Sequence, residues 1–149
     1  MINAASTDPT LPLAGMRVVE LADGKTDMAG RLLADLGAEV ILLEPPHGSA
    51  SRHIAPMFQG TSLYFATHHA NKRSLVLDLN ADADKAAFIR LLASTDLLLD
   101  ASGPDNLARL GLPVGDLRSR YPGLVVLSVS DFGLTGPYRD HCASHAVHA

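Results

Sequence analysis

Residues Leu13–Glu44, LAGMRVVELADGKTDMAGRLLADLGAEVILLE, decide the fold of this 149-residue chain. Arg17–Leu21 is a short apolar run closed by the turn signal Ala22-Asp23-Gly24. Asp27 is placed to cap a following helix, on which Met28, Leu32, Leu33 and Leu36 form one apolar stripe. Gly37 closes the helix, and Glu39–Leu43 is a second apolar strand, halted by Pro45-Pro46. Strand, turn, helix and strand make one βαβ unit. Its right-handed crossover puts the turn at the carboxyl edge of a parallel sheet, where open α/β folds take their ligands.

The pattern recurs downstream. Ser74–Leu79, Asp96–Asp100 and Leu124–Val129 read as further strands. Asn80–Thr95 is the strongest helix, with Ala83, Ala87, Phe88, Leu91 and Leu92 on one face and Asp82 and Asp84 in the first turn. Two short helices fit Asp105–Leu110 and Val114–Tyr121. Continuous rather than alternating apolar strands imply a sheet covered on both faces. The fold class is therefore α/β, a Rossmann-like parallel sheet flanked by helices. Residues 1–12 are expected to be a flexible tail and 13–149 the domain proper. His47 to Asn71 shows no periodicity, and a segment this long without regular elements is expected to be a functional or interface loop.

Composition narrows the function. The formal net charge is −4, there is no basic run, and aromatic residues make up only 5 % of the chain, which argues against a nucleic-acid surface. The longest apolar runs are too short to span a bilayer, and the polar start MINAASTDPT has no signal-peptide core. The single cysteine, Cys142, excludes an internal disulfide and suits a reducing compartment. A cytoplasmic protein without membrane partners is expected.

Three constellations invite chemistry. Gly24, Gly30 and Glu44 are spaced as in a dinucleotide-binding turn, but ADGKTDMAG lacks the G-x-G-x-x-G pattern, so Glu44 is better read as tethering the loop after its strand. His141, Cys142, His145 and His148 crowd one stretch, yet their spacing matches no closed four-ligand site, and no metal is expected. Cys142 beside His145 lacks an orienting acid other than Asp140, which leaves a nucleophilic pair without support. Asn71-Lys72-Arg73 and Arg109, near strand ends, suit an anionic ligand, with ordinary surface charge as the plain alternative.

Several runs occur together and in order: LAGMRVVEL, AGRLLADLGAEVILLEPP, SLYF, NKRSLVLDL, GPDNLARLGL and YPGLVVLSVSDFGLTGPYRD. Together they resemble the N-terminal part of the family III CoA-transferases, which include formyl-CoA transferase, carnitine CoA-transferase and α-methylacyl-CoA racemase. The resemblance covers Leu11 to Asp140. It implies the Rossmann-like large domain of that family, incomplete here and without the small domain. It also implies coenzyme A or an acyl-CoA thioester as substrate, with no tightly bound cofactor. In the family the large and small domains build interlocked homodimers. The positions that match its CoA contacts are Lys25, Thr26, Pro45, Leu77, Asp78, Leu79, Asn80, Ala101, Ser102, Gly103 and Arg109, with Arg109 set to meet a phosphate.

The departures from the family pattern are equally specific. Its Ala-Gly-Pro turn is replaced by Lys25-Thr26-Asp27, and its Glu-Asn-Phe by Asp100-Ala101-Ser102. A family acid aligns with His145, and the racemases' preceding His with Ser144. The resemblance puts the nucleophilic aspartate in a Gly-Asp motif downstream of these residues. The expectation is a fragment or truncated product that cradles CoA and, alone, does not transfer it. An alternative expectation is a non-catalytic half that pairs with a competent one, or a relative of the racemases.

Overall fold

The computed structural model describes residues 9–143. In chain order its elements are β1 (Arg17–Leu21), α1 (Asp27–Asp35), β2 (Glu39–Glu44) and a 3-10 turn at Ala50–His53. A two-stranded hairpin of β3 (Met57–Phe58) and β4 (Thr61–Ser62) follows, then α2 (Leu63–His68) and β5 (Arg73–Val76). The rest comprises α3 (Asp82–Leu92), β6 (Leu97–Asp100), α4 (Asn106–Arg109), α5 (Val114–Arg120) and β7 (Val125–Ser128).

Five strands pair in parallel in the order β5-β2-β1-β6-β7. The order reverses between β1 and β6, so the turns after those two strands diverge and leave a crevice at the carboxyl edge. Both faces of the sheet are covered, as the continuous apolar strands require. On one face Val19, Leu21, Leu43 and Leu98 pack with Phe88 and Leu92 of α3, Leu107 of α4 and Leu117 of α5. On the other Val18, Val40 and Leu99 meet Ala34 and Ala38. Each fully buried Leu, Val or Phe here contributes roughly 1.5–3 kcal/mol of transfer free energy, so the two clusters hold the strand ends at fixed spacing.

Several expectations are corrected. The helix cap is Thr26 rather than Asp27, and its side chain makes no capping hydrogen bond; Asp27 is instead buried in the first turn. Of the expected apolar stripe of α1 only Leu33 packs against the core; Met28, Leu32 and Leu36 face outward, each close to half exposed. The buried side is Asp27, Gly30 and Ala34, small or polar residues that let the helix lie close to the sheet. The stretch from His47 to Asn71 contains the 3-10 turn, the hairpin and α2, held by polar contacts rather than by a periodic apolar face. Leu11 packs against Gly37, where a Cβ would stand 2.5 Å from the Leu11 Cβ, and the Leu13 amide donates to the Leu36 carbonyl. Gly37, at φ +102°, is the left-handed residue that ends α1.

Candidate functional site

Two adjoining clefts open at the carboxyl edge, meeting at Ser102. The first, of about 250 Å³, lies over the ends of β1, β2 and β5 and is lined by Leu21, Leu43, Pro45, Leu77, Leu79 and Leu110, with Asp78, Asn80 and Asn106 at its polar margin. The second lies at the point where strand order reverses. It collects Lys25, Ala101, Ser102, Gly103 and Arg109 with Asp23, Asp131, Arg139 and His141. Asp140 also lines it, so Lys25, Arg109 and Arg139 face three acids there. An apolar slot beside a charged one with guanidinium groups suits a ligand carrying a flat ring system and anionic groups.

Local interactions explain how these edges are shaped. After β5, the Asp78 amide is held by Asp84 at 2.8 Å, and Asp78 Oδ1 accepts from the backbone and side-chain nitrogens of Asn80 at 3.0 Å. After β6, the buried Asp100 carboxylate accepts from the Ser102 amide at 3.1 Å and its hydroxyl at 2.5 Å, an Asx turn that points Ala101–Gly103 across the edge. Asp105 adopts a left-handed conformation, φ 59°, and pairs with Arg139, which ties the segment after β7 to the start of α4. Lys25 reaches Asp131 at 3.4 Å from the other side. Burial pushes the Asp23 carboxyl up to about 6, against the Lys25 amide and ammonium, while Asp27 and Asp100 add to the rise. This charged cleft therefore contains an acid, Asp23, that gains its proton near neutrality.

All but one of the positions implied by the resemblance line one cleft or the other. Thr26 does not. It is buried, and its hydroxyl donates to Glu20 Oε1 at 3.1 Å, facing away from both clefts. His145, His148 and Ser144 lie outside the described residues. Among the described residues no group of three or more His, Cys, Asp or Glu could hold a metal ion. None of the described helices is long and apolar enough to cross a membrane.

Sequence reading missed a buried polar network behind the β1–α1 turn. Lys72 Nζ donates to Glu20 Oε2 at 2.7 Å, to the Asp27 carbonyl at 2.7 Å and to His69 Nδ1 at 3.2 Å. An ammonium has three hydrogens and no lone pair, so His69 Nδ1 accepts and Nε2 carries the ring proton. That proton serves Ser51 Oγ at 3.1 Å, and Asp27 Oδ2, 3.0 Å from the same nitrogen, lies off the line of the bond. Ser51, His69 and Asp27 are the residue types of a hydrolytic triad, but hydroxyl and carboxylate share one nitrogen and Lys72 holds the other. The arrangement cannot relay a proton from serine to an oriented base. Burial pushes Glu20 up and Lys72 down, and each opposes the other's shift through their ion pair. Nearby, Glu44 tethers the following loop as anticipated. Burial alone would raise its carboxyl, but Arg52, Ser74 and the Ser49 amide outweigh it and hold it at about 2.

Sequence and fold together match one group of known proteins. The sequence model for CoA-transferase family III aligns with residues 13–148, and the chain belongs to that family. It is 47 % identical over 124 residues to a probable CoA-transferase of Mycobacterium tuberculosis, covering 80 % of this chain and 16 % of that protein. It is 39 % identical to the succinyl-CoA–D-citramalate CoA-transferase of Chloroflexus aurantiacus, over 91 % of this chain and 35 % of the relative. The orthorhombic crystal structure of M. tuberculosis Rv3272 superposes with a TM-score of 0.83 at 35 % identity, over 94 % of this chain and 38 % of that one. The chain thus spans well under half the length of these relatives.

Proposed function

We propose that this chain is the CoA-binding portion of a family III CoA-transferase. The two adjoining clefts carry the reading, because they gather residues from five separate turns into one apolar surface and one charged surface that includes Lys25 and Arg109. The adenine ring lies in the apolar slot among Pro45, Leu77 and Leu79. The ribose phosphate meets Arg109, whose planar guanidinium can donate two parallel hydrogen bonds to it. Lys25 and the Ala101–Gly103 turn face the rest of the CoA chain.

The transfer step belongs to a polypeptide of the relatives' full length. There an aspartate carboxylate attacks the acyl-CoA carbonyl and expels CoA thiolate, giving a mixed anhydride. The thiolate then attacks the aspartyl carbonyl of the anhydride, which releases the acyl group as a carboxylate and leaves an enzyme thioester. The acceptor carboxylate takes over CoA by the same two displacements in reverse. These 149 residues supply binding and orientation and are inactive alone.

Calorimetric titration tests the reading. Micromolar CoA binding is expected, with Arg109→Ala weakening it by about tenfold or more, as for a lost hydrogen bond to a charged group. Dephospho-CoA should bind more weakly and be insensitive to that substitution. Absence of binding by the unaltered chain overturns the proposal.

An assembly role has its own support. Val125 and Leu127 stand 61 % and 47 % exposed on β7, which lies at one end of the sheet, and α1 turns Met28, Leu32 and Leu36 outward. Such faces are covered in a complete α/β domain. The isolated chain should associate in a concentration-dependent way, measurable by sedimentation. A strict monomer at high concentration would count against this part.

A further inference from the structure

We infer that Lys72 is a positioning residue for ligand binding, acting through the β1–α1 turn. The inference rests on the CoA reading above. Lys72 lines neither cleft, and its side chain is 1 % exposed. Its ammonium nevertheless joins the two ends of the turn that does line them. One hydrogen goes to Glu20 on β1, the residue next to Leu21 where the turn begins. A second goes to the carbonyl of Asp27, where α1 starts. The Glu20 carboxylate uses its other oxygen to hold the Thr26 hydroxyl.

The turn residues Ala22 to Lys25, which lie between these anchors, are therefore fixed from behind at strand and helix alike. Ala22 lies against the apolar slot, and Asp23 and Lys25 against the charged one. Gly30 belongs to the same device. It is the only residue type that leaves room for the pair, since a Cβ there would overlap Glu20 Oε2 and come within 2.9 Å of Lys72 Nζ. The third hydrogen of Lys72 goes to His69, which sits between Asp27 and Ser51 and packs on Phe65, so the ammonium has no freedom to turn elsewhere. Lys25 can take a defined position toward an anion only while this buried tie holds its turn. Thr26, the one implied contact that misses the clefts, acquires a role as a link in that tie.

A double-mutant cycle separates positioning from general damage. Removing Lys72 alone leaves Glu20 buried and unpaired and can unfold the chain, so the working background is the near-isosteric pair Glu20→Gln with Lys72→Met. Replacing both partners of a buried pair is tolerated far better than removing one. CoA affinity is measured by calorimetry for Lys25→Ala and Arg109→Ala in the native and paired backgrounds, each verified as folded by circular dichroism. In the native background each substitution is expected to cost about tenfold. In the paired background Lys25→Ala should cost less than twofold, while Arg109→Ala keeps its full effect. Equal Lys25 effects in both backgrounds, or parallel loss of the Lys25 and Arg109 effects, overturns the inference. Amide hydrogen exchange supplies a readout without ligand. Exchange at 22–28 should speed up at least tenfold in the paired background, with β1 and β6 unchanged. If the native chain fails to bind CoA, the functional reading falls. Exchange then decides the tie by itself, and an unaltered turn overturns it.

Discussion

Gly30→Ala should destabilise the chain strongly, although the same change in most helices is favourable. In a helix interior Ala is preferred over Gly by about 1 kcal/mol. At position 30 the new methyl would overlap Glu20 Oε2 and stand 2.8 Å from its Cδ and 2.9 Å from Lys72 Nζ. Neither group can swing into water, because both side chains are essentially inaccessible. Overpacking a rigid site costs about 1–3 kcal/mol. Separating a buried pair costs about 3–5 kcal/mol. Partial relief by a shift of α1 and the gain in helix propensity bring the expected net loss to about 2–4 kcal/mol. Gly115 is the internal control: it lies exposed in α5, and a methyl added there would meet nothing within 4 Å, so Gly115→Ala should stabilise by about 0.5–1 kcal/mol. Urea unfolding followed by far-ultraviolet circular dichroism, with m unchanged, measures both. A Gly30→Ala protein as stable as the native chain would refute the packing argument and the buried tie with it.

Two further expectations concern protonation. Asp23, raised to about 6 by burial, should repel an anionic ligand when ionised, so CoA affinity should rise as pH falls through about 6. Asp23→Asn should bind roughly three- to tenfold more tightly at neutral pH and remove that part of the pH dependence; calorimetry at pH 5.5 and 7.5 decides, and an identical pH profile in both proteins rejects it. Glu44, held at about 2 against an ordinary 4.5, contributes stability that is fully present above pH 4.5 and is lost as pH falls toward 2. Because its partner Arg52 is 41 % exposed, Glu44→Gln should cost only about 1–2 kcal/mol at neutral pH. The gap from the native chain should close in acid, as read by denaturant titration at several pH values; a gap that persists at pH 2 contradicts the linkage.

The positions of the five sheet strands were legible because apolar runs bounded by Gly, Pro and Asp carry their signal locally. β1 matches its expected span, and β2, β5, β6 and β7 differ by a few residues at their ends, whereas the β3–β4 hairpin was not foreseen. The orientation of α1 was not. Its most periodic apolar residues face outward, while its buried side was dictated by a carboxylate and an ammonium 52 positions apart in sequence. A hydrophobic stripe reports that a helix has an apolar face, not which neighbour it meets. The same limit hid the 3-10 turn and α2, whose order rests on Glu44, Arg52, Ser51 and His69. The cleft residues came from family resemblance. Thr26 shows the cost of that route, since a position can match a contact while its side chain turns inward.

The sheet order also sets a timetable. β1 leaves the ribosome well before its second neighbour, β6, which lies 79 residues further on, as in the pairing of Val18 with Leu97. At a synthesis rate of about 5–20 residues per second, β1 waits about 4–16 s for that partner. Everything that builds the tie, from Glu20 to Lys72, emerges earlier, together with β2 and β5. The nascent chain can therefore close a half-sheet locked by charge while the apolar flank of β1 is still bare. Its solubility during that interval depends on how firmly the first half has set.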